Sequence, residues 1–153
     1  MPLQEKLIEV MKEGMRSKNV AQVSVVRLLR ATIKNKEIDK HAPLTDEEIL
    51  QVISSAIKQR KESIEQFSKG GRQDLVDKES GEADILQSFL PPPLSEDELH
   101  MKIMSILAET GVSDVRQMGK VMKILMPQVV GRVDGSTLSQ RVRSCLEKGI
   151  GMA

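Results

Sequence analysis

Apolar residues recur every three or four positions along almost the whole chain, the spacing that places side chains on one face of an α-helix. The pattern predicts helices over residues 3–16, 20–40 and 45–68, followed by a fourth, acidic helix after Gly71. Three further helices are predicted beyond residue 95. No segment alternates between apolar and polar residues as a half-buried strand does, so the chain is predicted to be all-α.

Helix ends are predicted from capping residues. Thr45 with Glu48, and Ser95 with Glu98, have the spacing of a capping box, in which each side chain bonds to the other residue's backbone N–H. Ser113 is predicted to cap the sixth helix. That helix should end near residue 126, because the proline that follows cannot donate a backbone hydrogen bond.

Three consecutive prolines, residues 91–93, interrupt this series of helices. They favour an extended, semi-rigid segment, which predicts a division of the chain. Residues 1–90 are predicted to form a four-helix, antiparallel bundle-like domain, because short connections favour that packing. Residues 91–95 would be a Pro-rich linker, and residues 96–153 a small three-helix domain.

Composition excludes several functions. Aromatic residues make up 1% of the chain, with Phe67 and Phe89 and no Trp or Tyr, so the rings on which single-stranded nucleic acid stacks are missing. Cys145 is the single cysteine, interpreted as a small buried apolar residue. No apolar run is long enough to span a membrane. Without an apolar signal core near the N-terminus, the protein is predicted to be cytoplasmic.

Motifs for catalysis or metal binding are not found in the sequence. His41 and His100 have no histidine or carboxylate at zinc-enzyme spacing, and no glycine-rich phosphate loop is present. Two acidic clusters, residues 46–48 and 96–98, lie in the first turns of predicted helices, where carboxylates stabilise the helix dipole. No catalytic residue, cofactor or metal is therefore predicted, and the chain by itself is not expected to be an enzyme.

Charge is unevenly distributed. Residues 1–110 contain 16 Lys and Arg against 19 Asp and Glu, whereas residues 111–153 contain 7 against 3. The basic C-terminal part could meet a polyanion, or it could be a solvated face. Arg27, Arg30 and Lys34 share one stripe of the second helix. This stripe could contact phosphate, or it could pair with carboxylates such as Glu37.

Several segments together resemble a known family. They are residues 33–38, 58–63, 71–76 and 89–91, and above all residues 118–122, 125–127 and 131–135. The chain resembles the YqeY-like proteins of the GatB/YqeY family, relatives of the tail region of the B subunit of tRNA-dependent amidotransferases. The resemblance spans nearly the whole chain and implies a helical bundle joined to a small three-helix unit.

The resemblance also implies a function. In the amidotransferase the tail helps to hold the tRNA, while amide transfer with glutamine as donor happens elsewhere. A carbon–nitrogen ligase label would therefore describe the relative rather than this chain. The implied role is a non-catalytic accessory domain that binds tRNA or another structured RNA, acting with an amidotransferase or an aminoacyl-tRNA synthetase.

Folded RNA is recognised largely through its backbone and shape, which requires cations and close backbone approach. The predicted RNA-binding residues are cations and glycines of the matching region, together with the stripe of the second helix: Lys120, Lys123, Arg132, Arg141, Arg143, Gly119, Gly131, Gly135, Arg27, Arg30 and Lys34. The three glycines could instead serve tight helix packing.

The alternative function is a protein-interaction module. Its surface would be formed by methionines of the C-terminal part, whose flexible side chains adapt to a partner: Met101, Met104, Met118, Met122 and Met126. A catalytic amidotransferase is the third hypothesis. A steep salt dependence of tRNA binding would favour the first hypothesis, and salt-insensitive capture of a protein would favour the second.

Overall fold

The computed structural model describes residues 2–148. These residues form seven α-helices and one short 3₁₀ helix, with no β-strand among them, which confirms the all-α fold class. The helices are α1 (Leu3–Arg16), α2 (Val20–Lys40), α3 (Asp46–Lys69), α4 (Gln73–Gln87), α5 (Glu96–Thr110), α6 (Met118–Val129) and α7 (Gly135–Lys148), with the 3₁₀ helix at Val115–Gln117.

The contacts divide the chain into two compact units between Leu90 and Pro91. In the first unit α1 packs along α2, and α3 packs along α4. In the second unit α5, α6 and α7 pack against one another. The antiparallel arrangement of the first four helices and the independence of the two domains remain predictions.

The core of the first unit is built from the apolar stripes of α1, α2 and α3 and from the end of α4. Its buried side chains are Leu3, Leu7, Val25, Val26, Leu29, Ile33, Ile49, Val52, Ile53, Ile57, Leu86 and Phe89. The capping box at the start of α3 forms as predicted: Glu48 N–H donates to Thr45 Oγ1 at 3.2 Å, and Thr45 N–H donates to Glu48 Oε2 at 2.8 Å. Two of the four N–H groups that lack intrahelical acceptors at this helix end are therefore satisfied.

The second unit closes around its own core. The buried side chains are Leu99, Ile103, Ile106, Leu107, Val112, Val121, Leu125, Val129, Leu138, Val142 and Leu146. The proline segment belongs to this unit. Leu94 packs against the core, its N–H donates to the carbonyl of Arg132 at 3.0 Å, and Arg132 Nε donates to the Pro92 carbonyl at 2.8 Å.

The predicted capping box at the start of α5 is only half correct. Ser95 Oγ accepts a hydrogen bond from Glu98 N–H at 3.1 Å. The Glu98 carboxylate does not return the bond, because it lies 3.5 Å from Arg132 Nη2. An arginine 34 positions further along the chain thus competes with the local backbone for this carboxylate.

Two predictions about the sixth helix are wrong. The capping residue before it is Asp114, not Ser113: Asp114 Oδ1 accepts from Arg116 N–H at 2.9 Å, and a 3₁₀ turn precedes α6. The helix also continues past Pro127 to Val129. Val129 is 1% exposed, so its burial one turn after the buried Leu125 stabilises a last turn that proline by itself disfavours.

Candidate nucleic-acid interface

The two lysines of α6 lie on one side of the helix and are exposed. Lys120 and Lys123 are three positions apart, the spacing that brings side chains together on a helix surface. Neither forms a hydrogen bond or an ion pair with another described residue, and the same holds for the exposed Arg143 of α7. These three cations are therefore available to an external anion.

Two glycines of the predicted set lie at the starts of the helices that carry these cations. Gly119 is the second residue of α6 and Gly135 is the first residue of α7. A methyl group placed on either would meet no neighbouring heavy atom within 4 Å, and neither is among the described glycines with a positive φ. Tight packing, the alternative that the sequence left open, does not account for Gly119 or Gly135.

Gly131 is a different case. Its φ of 78° lies in the left-handed region, which only glycine adopts without steric cost. The residue is buried where the chain turns after α6. The turn geometry explains this glycine without any ligand.

Two predicted cations are already engaged within the second unit. Arg132 is bonded to the Pro92 carbonyl and lies near Glu98. Arg141 forms an ion pair with Glu96. Both arginines hold α5 and the proline segment, and their charge is partly neutralised by carboxylates of the first turn of α5.

The cationic stripe of α2 belongs to the first unit, whereas the other eight predicted residues belong to the second. Arg27, Arg30 and Lys34 are all exposed. Arg30 Nη1 donates to Met11 Sδ at 3.7 Å. Glu37, the suggested partner, instead accepts from Leu44 N–H at 2.8 Å and from Gln4 Nε2 at 3.0 Å. The stripe is thus left without a carboxylate among the described residues.

The charge asymmetry of the sequence disappears when the chain is divided at the structural boundary. Residues 1–90 contain 15 Lys and Arg and 15 Asp and Glu, and residues 91–153 contain 8 and 7. The acidic residues of α5 belong to the same unit as the basic residues of α6 and α7. Any polyanion site must therefore depend on local placement of cations and not on the net charge of a domain.

A pocket between α5 and α7 was not foreseen from the sequence. His100 was interpreted as isolated and Cys145 as a buried apolar residue, yet Cys145 Sγ lies 4.0 Å from His100 Nδ1. Met104 lines the same pocket. Burial raises the pKa of the Cys145 thiol, an effect that the charges of Lys148 and Arg141 partly offset. The one sequence signal was the four-residue spacing of His100 and Met104 on a helix.

Acidic and histidine ligands for a metal are not brought together: residues 2–148 contain no group of three or more His, Cys, Asp or Glu side chains that could hold an ion. Within the same residues, no helix is both long enough and apolar enough to cross a bilayer.

Comparison with known proteins decides the family. A sequence profile of the Yqey-like protein family matches residues 4–146. The chain belongs to this family. Among curated relatives, the mitochondrial protein named altered inheritance of mitochondria protein 41 recurs in several fungi.

Three of these relatives show the extent of the similarity. The Kluyveromyces lactis protein is 34% identical over 137 residues, which are 88% of this chain and 70% of the relative. The Pyrenophora tritici-repentis protein is 32% identical over 136 residues, 87% of this chain and 75% of the relative. The Lachancea thermotolerans protein is 39% identical over 102 residues, 65% of this chain and 54% of the relative.

The names of these Yqey-like relatives correct one prediction. Each is called a mitochondrial protein. The prediction of a cytoplasmic protein is therefore wrong. It rested on the lack of an apolar signal core, which argues against secretion and does not distinguish the compartments inside a cell.

Proposed function

We propose that the chain is a non-catalytic accessory protein that binds tRNA or another structured RNA, with the start of α6 as its principal contact. The observation that carries this proposal is Gly119. It occupies an exposed helical position where neither packing nor backbone conformation requires glycine, although glycine destabilises a helix by roughly 0.5–1 kcal/mol relative to alanine.

A glycine in the first turn of a helix leaves the backbone open to a phosphate. The N-terminus of a helix carries partial positive charge, although the N–H of Met118, the first residue of α6, already donates to the Val115 carbonyl. Lys120 and Lys123 follow directly and are not engaged by carboxylates of the described residues. Two unpaired lysines at the positive end of a helix suit phosphate contacts, which position a nucleic acid without reading its bases.

The second unit also lacks the means for base stacking. Phe67 and Phe89 both belong to the first unit, so residues 91–153 contain no Phe, Tyr or Trp. Recognition would then depend on backbone and shape, which is the usual mode for double-helical RNA. The names of the relatives make the mitochondrion the compartment proposed for this activity.

The decisive experiment is binding of unfractionated tRNA by the full chain across a salt series. The double variant Lys120→Gln/Lys123→Gln should weaken binding and reduce the slope of log affinity against log salt by about 2, one unit for each lost phosphate contact. The matched control is Lys58→Gln/Lys61→Gln, which removes two exposed lysines at the same spacing from α3.

A wild-type chain that does not bind tRNA at low salt would refute the proposal. Equal losses in both double variants would show that binding is non-specific and does not depend on the start of α6.

Gly119→Ala provides a second test, in which stability and binding should change in opposite directions. The added methyl group should raise the free energy of unfolding by about 0.5–1 kcal/mol, while it obstructs phosphate approach and lowers tRNA affinity. Gly81→Ala is the control, because Gly81 lies inside α4 with equally open surroundings. It should stabilise the protein without changing tRNA affinity. Stabilisation with unaltered binding in Gly119→Ala would remove the argument from Gly119.

A protein-interaction module is the second candidate, favoured by apolar side chains that remain outside the core. Met101 is 72% exposed and Met126 is 39% exposed, with Ile124 also exposed. The other three methionines of the predicted surface pack against the core of the second unit: Met104, Met118 and Met122. Salt-insensitive capture of a protein, lost in Met101→Ser, would favour this candidate over RNA binding.

A further inference from the structure

The pocket between α5 and α7 collects three side chains with soft donor atoms. They are the Cys145 thiol, the Met104 thioether and the His100 imidazole, which line a space of about 120 Å³. His100 and Met104 are one turn apart on α5, and Cys145 faces them from α7. Helix α5 thus supplies two donor side chains and α7 supplies one, all to the same small pocket.

The distance between two of these donors fits a shared metal ion of low coordination number. Metal bonds of about 2.3 Å to sulfur and about 2.0–2.1 Å to nitrogen separate the two donor atoms by roughly 3.6 Å in a tetrahedral site. The same bonds give about 3.8 Å in a trigonal site and about 4.3 Å in a linear one. The distance of 4.0 Å from Cys145 Sγ to His100 Nδ1 lies between the trigonal and linear values.

We propose that Cys145, His100 and Met104 bind one Cu(I) ion. Thiolate and thioether ligands select Cu(I), whereas Zn(II) takes four ligands from thiolate, imidazole and carboxylate groups. The described lining of this pocket contains no carboxylate; besides the three donors it consists of Leu99, Ile103, Arg141, Ser144 and Lys148. The donor set therefore suits copper(I) better than zinc.

The charges around the pocket are compatible with this ion. Lys148 and Arg141 line the pocket beside Cys145, and a thiolate is the form of cysteine that binds metal. A thiolate and Cu(I) together are electrically neutral, so the neighbouring cations do not repel the bound pair as they would a free divalent ion. Arg141 is in addition paired with Glu96.

The test is an anaerobic titration of the reduced full chain with Cu(I) against the chromophoric chelator bathocuproine disulfonate. Wild type should take one Cu(I) per chain. Cys145→Ser should lower the affinity by more than the roughly 10–100-fold that loss of an outer-shell group costs. His100→Gln and Met104→Leu should each lower it at least about tenfold.

Two control substitutions replace the same residue types elsewhere. Met101→Leu changes an exposed methionine of the same helix, and His41→Gln changes the other histidine; neither lines the pocket. Both should leave the affinity within about twofold of wild type. Circular dichroism of every variant distinguishes loss of a ligand from loss of the fold, and Met104→Leu conserves side-chain volume for this purpose.

X-ray absorption spectroscopy at the copper edge identifies the atoms bound to the ion. A purely structural role of the three residues would not change this spectrum. Wild type should show sulfur and nitrogen neighbours with low coordination number, and the nitrogen should disappear in His100→Gln. The proposal is overturned if Cys145→Ser retains wild-type affinity, if the two control variants lose as much affinity as the pocket variants, or if Zn(II) competes equally for the site.

Discussion

The two units bury similar numbers of apolar side chains but differ in the grooves on their surfaces. The first unit buries 12 apolar side chains from residues 2–90, yet a groove of about 840 Å³ remains open between α2 and α3. The second unit buries 11 from residues 91–148, and its pocket between α5 and α7 measures only about 120 Å³. The shorter unit thus buries almost as many apolar side chains as the longer one, so its small size did not prevent a core from forming.

The difference originates largely in α2. This helix exposes Val20, Leu28 and Ile38, which are 78%, 57% and 61% exposed, and Leu28 lines the open groove. The three helices of the second unit instead direct most of their large aliphatic side chains inward. Stability should therefore depend on core residues in both units, but surface substitutions along α2 should be tolerated best.

The largest effect expected is from removing a core side chain in each unit. Leu125→Ala and Ile53→Ala delete fully buried side chains, and each should cost about 2–5 kcal/mol. Hydrogen exchange can assign the loss, which matters because the chain has no Trp or Tyr for fluorescence. With independent units, Leu125→Ala should accelerate exchange in α5, α6 and α7 but not in α1–α4. Acceleration throughout the chain would show that the two units unfold together.

A smaller effect is expected at the cap before α6. Two adjacent residues are expected to differ there in how much their replacement by alanine lowers stability. Asp114→Ala removes the side chain that accepts from Arg116 N–H and should lower the free energy of unfolding by about 0.5–2 kcal/mol. Ser113→Ala removes no side-chain hydrogen bond to a described residue and should stay within about 0.5 kcal/mol of wild type. Chemical denaturation followed by circular dichroism measures both. Equal losses would indicate that Ser113 caps the helix after all.

Basic residues of the second unit differ in whether they are already bonded within the protein. Arg132→Gln removes the bond to the Pro92 carbonyl and the contact with Glu98, and should destabilise the second unit by about 1 kcal/mol. Lys123→Gln should leave stability unchanged while it weakens tRNA binding. Thermal unfolding and tRNA titration of the two variants provide the comparison. A stability loss in Lys123→Gln would mean that this lysine has an internal role.

The smallest effect concerns the capping box at the start of α3. The pKa of Glu48 is lowered, first by the hydrogen bond from Lys40 and then by that from Thr45 N–H. Its stabilising contribution is therefore present above the unfolded pKa of about 4.3 and is lost as the pH falls through the lower folded value. Glu48→Gln should flatten the acid limb of the stability curve. Thr45→Ala should flatten it only in part, because the backbone N–H of residue 45 remains. An unchanged acid limb in Glu48→Gln would contradict the assignment.

Local features were predictable wherever the residues that decide them are neighbours in the chain. The bounds of α1 and α2 coincide with the predicted ranges, and the capping box at Thr45 formed as its three-residue spacing indicates. The caps near Ser95 and Ser113 were less accurate. At the cap near Ser95, the distant Arg132 contacts Glu98 and so prevents the second bond of the capping box. At the cap near Ser113, the neighbouring Asp114 is an equally suitable capping residue.

The candidate interface was predictable by residue type only. The sequence identified Lys120, Lys123 and Gly119, and each is exposed in the structure. The same prediction included Arg132 and Arg141, which in the structure are bonded to the proline segment and to α5. Whether a basic side chain is exposed or ion-paired depends on residues distant in the chain, so no local sequence pattern predicts it.

The sequence by itself determined the helical class, the positions of the helices and membership of the Yqey-like family, because periodicity, capping and motif order are encoded within a few turns. Only the tertiary structure decided three further points: that the helix continues past Pro127, that Arg132 and Arg141 are engaged by carboxylates at the start of α5, and that Cys145 lies beside His100. Each depends on packing between segments distant in the chain, where burial of apolar side chains outweighs local preference.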